Sequence, residues 1–226
     1  MTVLPAIAQK KVFVFDWDGT LFDSMAAKTV SFATVVSAWL ARNGEAMTVP
    51  EVAHRYRLYS GEPRRTIFRT IARDAGTHAS DADCEAMSEE LFARNRATLE
   101  AASLFEDALP CLDDLLARNK TVCLSSSVPQ AELAHFVERK LPARLRRRLA
   151  AVLGSQPELA KGVGHLGAIR VATGAPAPEV VVIGDDMADR NLSTAAGIDS
   201  VLVDRDGHLP PQTPHISSLT EIAELL

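Results

Sequence analysis

The chain alternates between short, unbroken apolar runs and longer stretches whose apolar residues recur every three to four positions. Lys11–Phe15, Thr121–Ser125, Ala151–Gly154, Val180–Ile183 and Ser200–Val203 read as strands, the third being the weakest. A continuous apolar run is the pattern of a parallel strand buried on both faces. Pro129–Arg139, Lys161–Ala172 and Ala188–Ala196 carry helical spacing, and Asp107–Arg118 reads as a core helix leading into the second strand. Strands alternating with helices predict a parallel sheet covered on both faces, with right-handed crossovers.

Between the first two strands this rhythm breaks, and no strand pattern occurs from Ser24 to Phe105. Ser24 is placed to cap a helix carrying Val30, Phe32, Val35, Val36, Trp39 and Leu40, which Asn43-Gly44 ends. Pro50 opens a second helix reaching Tyr59. Glu62-Pro63 opens a third with Ile67, Phe68 and Ile71 on one face, and residues 81–101 make a fourth. The expected organisation is an α/β core domain, residues 1–23 and 106–226, with a helical module, residues 24–105, inserted into it. No internal repeat is visible.

Composition narrows the class. The 226 residues are 47% hydrophobic and 23% charged, ordinary values for a globular protein with a sizeable core. A net charge of -5 argues against a broad nucleic-acid footprint. No run approaches the roughly 18 apolar residues that a membrane span needs, and Met1–Lys10 lacks the features of a signal peptide. Cys84, Cys111 and Cys123 are odd in number and share no metal-type spacing, which suits reduced thiols. The expectation is a cytoplasmic protein with neither membrane nor nucleic acid as partner.

The chemistry concentrates at strand ends. Val12–Phe15 runs straight into Asp16-Trp17-Asp18-Gly19-Thr20-Leu21, and the carboxyl ends of such strands are where open α/β sheets place ligands. An aspartate there can serve as a turn cap, but it can also attack phosphorus and form an acyl phosphate. Asp18, two residues on, could protonate the leaving oxygen and then deprotonate water. Gly19 permits an unusual backbone angle at the turn. A second acidic strand end is Ile183-Gly184-Asp185-Asp186-Met187-Ala188-Asp189. It reads either as a helix N-cap cluster or as part of a hard-cation site, in which Asp16, the Asp18 carbonyl and Asp185 would hold Mg2+. Ser125-Ser126-Ser127 could bind phosphate oxygens or form a polar turn, and Lys161 could neutralise phosphate or be a surface lysine.

Taken together, these motifs resemble the haloacid dehalogenase-like superfamily over nearly the whole chain. The Asp-x-Asp-Gly-Thr-Leu form at 16–21 is the most specific of them. The resemblance implies a Rossmann-like parallel sheet core with an inserted α-helical cap. It implies Asp16 as nucleophile, Asp18 as acid/base and Lys161 as the family lysine. The serine motif falls on Ser125 or Ser126, and the spacing to Pro129 favours Ser126, with Ser127 after it. Asp185 and Asp189 match the Gly-Asp-x-x-x-Asp form, so the implied metal set is Asp16, Asp18, Asp185 and Asp189, with Mg2+ as cofactor. Gly19 and Thr20 would complete the phosphate side.

The position of the inserted helices is similar to that in the phosphoglycolate phosphatase and β-phosphoglucomutase-like branch. There, Gly61-Glu62-Pro63-Arg64-Arg65 lies where caps carry a substrate loop. Arg64 or Arg65 would clamp an anionic substrate, or simply face solvent in a helix's first turn. Two features depart from that branch. Lys161 is followed by glycine instead of proline, and Trp17 fills the variable position of the first motif.

The implied function is an Mg2+-dependent phosphatase acting on a small phosphorylated metabolite through an aspartyl phosphate, as a monomer or homodimer. A phosphosugar mutase and a non-catalytic binding protein are the alternatives. The Arg144, Arg146, Arg147 and Arg148 cluster reads as a solvated helix face. His54, His78, His135, His165, His208 and His215 show no metal spacing, and Asp206-Gly207 reads as a turn.

Overall fold

A computed structural model describes residues 4–59 and 62–226. The chain divides into two compact units, Met1–Asp23 with Ser103–Leu226, and Ser24–Ala102.

The first unit is built on six strands: β1 Val12–Phe15, β2 Thr121–Pro129, β3 Leu149–Ser155, β4 Val180–Gly184, β5 Asp199–Val203 and β6 His215–Ile216. Their order across the sheet is β3-β2-β1-β4-β5-β6, and every pairing is parallel. The α/β reading of the sequence therefore holds. All residues of β1 and β4 are buried, which is why both strands read as unbroken apolar runs.

Val12 and Val14 of β1 face one side of the sheet. There they pack with Val180 and Val182 of β4 and with Leu166 and Ile169 of the helix after β3. By the two-residue alternation of a strand, Asp16 continues on that same side. The order of the strands also matters. The chain builds outward from β1 through β2 to β3, then crosses back to place β4 on the other side of β1. The reversal falls between β1 and β4, and a crevice opens at the carboxyl ends of strands at such a point.

Three differences from the sequence pattern concern this unit. β2 continues past Ser125, because pairing with β3 resumes at Pro129 opposite Ser155 after an irregular stretch. β6 went unnoticed, since two residues carry no readable alternation. The arginine cluster is exposed at Arg144, Arg147 and Arg148, as expected, but it also makes bonds that no local pattern announced. Arg144 makes a two-pronged salt bridge to Asp113, Arg146 donates to the carbonyls of Glu138 and Leu141, and Arg148 donates to the carbonyl of Leu116.

The second unit is four helices: α1 Met25–Arg42, α2 Val49–Leu58, α3 Arg64–Asp74 and α4 Asp81–Leu99. Phe32, Val35, Val36, Trp39 and Leu40 of α1 pack with Val52, Ile67, Phe68 and Ile71, while Val30 faces outward at 55% exposure. Phe32 stacks on Tyr56 and Phe68, with ring centroids 4.2 and 5.1 Å away. Reciprocal capping boxes, Thr48 with Glu51 and Ser80 with Asp83, start α2 and α4. Ser24 stands at the N-cap of α1, but its side chain makes no capping hydrogen bond. The chain leaves and re-enters the sheet unit along two antiparallel segments, in which the Asp23 amide donates to Ser103 and the Phe105 amide to Leu21. Residues 103–105 accordingly belong with the sheet.

The remaining helices cover the sheet unit: α5 Ala108–Ala117, α6 Gln130–Lys140, α7 Ala143–Arg146, α8 Val163–Thr173, α9 Met187–Ala195 and α10 Glu221–Glu224.

Candidate active site

The ends of β1 and β4 lie side by side, with Phe15 opposite Ile183 and the Asp16 amide donating to the Ile183 carbonyl at 2.8 Å. Each strand continues into an aspartate. Asp16, Asp185 and Asp189 each bring one carboxylate oxygen within 4.8 Å of the others. Asp16 and Asp189 are buried and Asp185 is half-buried.

Two glycines make room for this crowding. Gly19 has φ +77°, and a Cβ there would fall 2.1 Å from Asp185 Oδ2. A side chain at that position is excluded by backbone strain and by space together. Gly184 would place a Cβ 2.2 Å from Asp189 Oδ2, so the Asp189 carboxylate sits against bare β4 backbone. Thr20 donates its hydroxyl to Asp185 Oδ1 at 3.3 Å.

Among the described residues, one cation answers these acids. Lys161 Nζ lies 2.9 Å from Asp16 Oδ1 and 2.6 Å from Asp189 Oδ1. The contact to Asp189 is a close ion pair, and Asp189 Oδ2 is buried with no hydrogen-bond partner. Burial raises the Asp16 pKa to about 7, with Lys161 pulling it down and Asp189 and Asp18 pushing it up. Burial also raises Asp185 and Asp189, with Asp16 adding to the shift at Asp185. For Lys161, burial works against the charged form, but Asp16 and Asp189 outweigh it and hold the ammonium firmly protonated. Three carboxylates thus face a single ammonium. The oxygen-only donor set, the orphaned oxygen and the excess of negative charge all fit a hard divalent cation.

The other expected residues fall as follows. Asp18 is half-buried and lies just past the strand, where the Gly19 amide donates to the Phe22 carbonyl. Its carboxylate is not one of the clustered three, yet its charge reaches Asp16. Asp186 caps α9, accepting from the amides of Ala188 and Asp189 at 2.8 and 3.2 Å. The N-cap reading of this acidic segment thus applies to Asp186, while Asp185 and Asp189 turn inward to the cluster. Ser126 is buried and its hydroxyl oxygen accepts from the Val128 amide at 3.3 Å. Ser127 is exposed. A small cleft is lined by Asp16, Ser125, Lys161 and Asp189. Trp17 is buried against Phe22, with ring centroids 5.3 Å apart.

Arg64 and Arg65 open α3 in the helical unit. Arg65 pairs with Glu85 and lies 3.6 Å from Asp81, and Arg64 is half-buried. Gly61 of the same segment lies outside the described residues.

Two supporting residues escaped the sequence reading. Arg205 donates to both oxygens of Asp107, at 3.0 and 2.9 Å, and to the Thr20 carbonyl at 2.9 Å, with Phe105 under its guanidinium. His165 is fully buried, with Nδ1 3.0 Å from Ser125 Oγ. For Arg205, no local pattern announces a clamp formed across 98 residues of chain. For His165, the available signal was its place on the inward side of α8, next to Leu166.

The model of the family described as "haloacid dehalogenase-like hydrolase" matches residues 10–197. No curated protein matches the chain significantly. Among solved structures, a protein named as a haloacid dehalogenase-like hydrolase from Bacteroides fragilis is similar at TM-score 0.75 and 23% identity, over 94% of this chain and 99% of that one. A predicted phosphoglycolate phosphatase from Haemophilus somnus is similar at TM-score 0.74 and 14% identity, over 97% and 99%. CbbY from Rhodobacter sphaeroides in complex with phosphate is similar at TM-score 0.76 and 12% identity, over 94% and 96%. These identities speak for a common fold. The family match spans most of the chain, including both acidic strand ends and Lys161, and the chain belongs to the haloacid dehalogenase-like hydrolases.

Proposed function

We propose that this protein is an Mg2+-dependent phosphatase that hydrolyses a small phosphomonoester through a phosphorylated Asp16. The observation that carries this reading is the meeting of Asp16, Asp185 and Asp189 around Lys161 at the reversal point of the sheet. Two of the structural neighbours, one named as a phosphoglycolate phosphatase and one solved with phosphate, are consistent with it.

Asp16 Oδ attacks phosphorus in line, and the bond from phosphorus to the ester oxygen breaks. Asp18 gives its proton to that departing oxygen. It then takes a proton from water, which attacks the phosphorus of the aspartyl phosphate and releases phosphate. Lys161 and the Ser126 hydroxyl hold the non-bridging oxygens, and positioning with charge stabilisation supplies most of the acceleration. Asp16, Asp185, Asp189 and the Asp18 carbonyl would hold the cation. When bound, it offsets repulsion between the carboxylates and the phosphate. The helical unit, residues 24–102, would serve as the cap domain and choose the substrate, with Arg64 or Arg65 a candidate contact. The three cysteines are free and buried, which suits a reducing compartment, the cytoplasm.

A panel of phosphorylated metabolites assayed with Mg2+ for released phosphate tests this reading. Wild type should turn over at least one member, and both Asp16→Asn and EDTA should reduce that turnover by several orders of magnitude. Full activity in Asp16→Asn would refute the nucleophile. An isomerised sugar phosphate in place of free phosphate would convert the reading to a mutase.

A further inference from the structure

His165 is fully buried, and both of its ring nitrogens are engaged. Nε2 lies 3.2 Å from the Leu159 carbonyl, and Nδ1 lies 3.0 Å from the Ser125 hydroxyl. These two partners belong to different parts of the site. Ser125 follows Leu124, which pairs with Phe15, so it stands beside Asp16 on the neighbouring strand. Leu159 is two residues before Lys161, in a turn closed on itself by Gln156 N to Leu159 O at 3.0 Å and Leu159 N to Gln156 O at 3.2 Å. The His165 amide adds a third hold on the same arc, donating to Ala160 O at 3.3 Å.

We propose that His165 is a positioning residue for the lysine of the site, tying the Ser125 hydroxyl to the Leu159 carbonyl and so fixing the arc that presents Lys161 to Asp16. This rests on the phosphatase reading only for the role of Lys161; the tether itself does not.

The partners of the ring favour one tautomer. A carbonyl only accepts, so Nε2 carries a proton and donates it to Leu159. In a neutral ring Nδ1 is then an acceptor, and Ser125 donates its hydroxyl proton to it. Burial favours that neutral ring, opposed by the Leu159 and Gly154 carbonyls, with the Lys161 ammonium adding to the same downward push. One consequence separates the adjacent serines. The single proton of Ser125 is committed to His165, whereas the Ser126 oxygen accepts from the Val128 amide. Ser125 belongs to the tether and stands on the same side of the sheet as Asp16.

Two measurements on the full chain test this. The first needs no activity. In 15N spectra of histidine-labelled protein, the resonance pair lost in His165→Gln should report the Nε2–H tautomer, and Ser125→Ala should move its Nδ1 signal. An Nδ1–H tautomer, or an Nδ1 signal indifferent to Ser125→Ala, overturns the tether. The second uses inorganic phosphate as probe, with Mg2+ present, read by calorimetry. His165→Phe should weaken phosphate binding about tenfold, the scale of losing a supporting contact. His165→Gln, which can still donate towards Leu159, should recover most of the loss. In a Lys161→Met background, His165→Phe should change nothing further. Equal losses with and without Lys161 would overturn the positioning role in favour of a general structural one. If His165→Phe does not fold, the smaller His165→Ala makes the same comparison. An inert wild type across the metabolite panel would defeat the phosphatase reading while leaving the tautomer result to judge the tether.

Discussion

At the residue scale the site is an arrangement of unequal charges. Lys161 serves two carboxylates, and Asp189 still has a buried oxygen without a donor. The physical cost shows as carboxylate pKa values raised by burial, Asp16 to about 7 and Asp185 well above its ordinary value. The sign of the resulting pH dependence follows. A carboxyl group whose pKa is higher folded than unfolded binds more protons in the folded state between the two values. Metal-free protein should therefore lose stability as pH rises from about 4 to about 7. A cation competes with those protons, so Mg2+ should bind more tightly at pH 8 than at pH 5. At about 100 times its Kd it should add about 2.7 kcal/mol, read as a Tm difference between Mg2+ and EDTA that widens with pH. A stabilisation by Mg2+ that is equal at both pH values would contradict the shared site. Lys161→Met removes the one neutralising charge from this buried cluster, and about 3–5 kcal/mol of stability should go with it at neutral pH.

At the element scale, helices and strands must approach one another closely enough to bring these groups together. α9 starts against β4 only because residue 184 is glycine. Gly184→Ala would put a methyl inside the Asp189 carboxylate, so Asp189 or the first turn of α9 must shift. The expected outcome is a loss of about 1–3 kcal/mol in denaturant unfolding together with weaker Mg2+ binding. Unchanged metal affinity would separate Asp189 from the cation. Arg205 does comparable work for the β1 loop, joining Thr20 to Asp107, which also accepts from Ser218 and the Leu219 amide. Burial pushes the Asp107 pKa up, but these donors together hold it below its ordinary value. Arg205→Ala removes the charged donor while Ser218 and Leu219 remain, and should cost about 1–3 kcal/mol, a few °C in Tm.

Elements also explain what the sequence disclosed. β1 and β4 were legible because burial on both faces leaves no polar residue to interrupt the run. α2 was legible through Pro50, α3 through Ile67, Phe68 and Ile71 on one face, and α4 through its richness in Ala, Glu, Met and Leu. β6 was too short to show a period, and the bulge of β2 between Ser125 and Pro129 depends on its register with β3, which no local pattern records. Asp16, Lys161 and Asp185 could be named from their motifs. The pairing of Ser125 with His165 could not, because it joins residues 40 positions apart.

At the scale of the whole molecule, the strand order determines where chemistry can happen. With β1 central and β4 beside it, two acidic strand ends separated by 169 residues of chain, Asp16 and Asp185, meet at one crevice. The helical unit is inserted directly after the first of these motifs and returns to the sheet unit at Ser103, so the fold itself can serve many substrates by varying that insertion. What distinguishes a phosphatase from a binding protein on this scaffold is a covalent event at one atom. The most direct measurement is to quench the enzyme in acid during turnover of an active phosphomonoester with Mg2+, reduce it with borohydride, and map the product by peptide mass spectrometry. The account predicts homoserine at residue 16, and only when substrate and Mg2+ are both present. Phosphate release with Asp16 unmodified, or reduction at a different carboxylate, would contradict it.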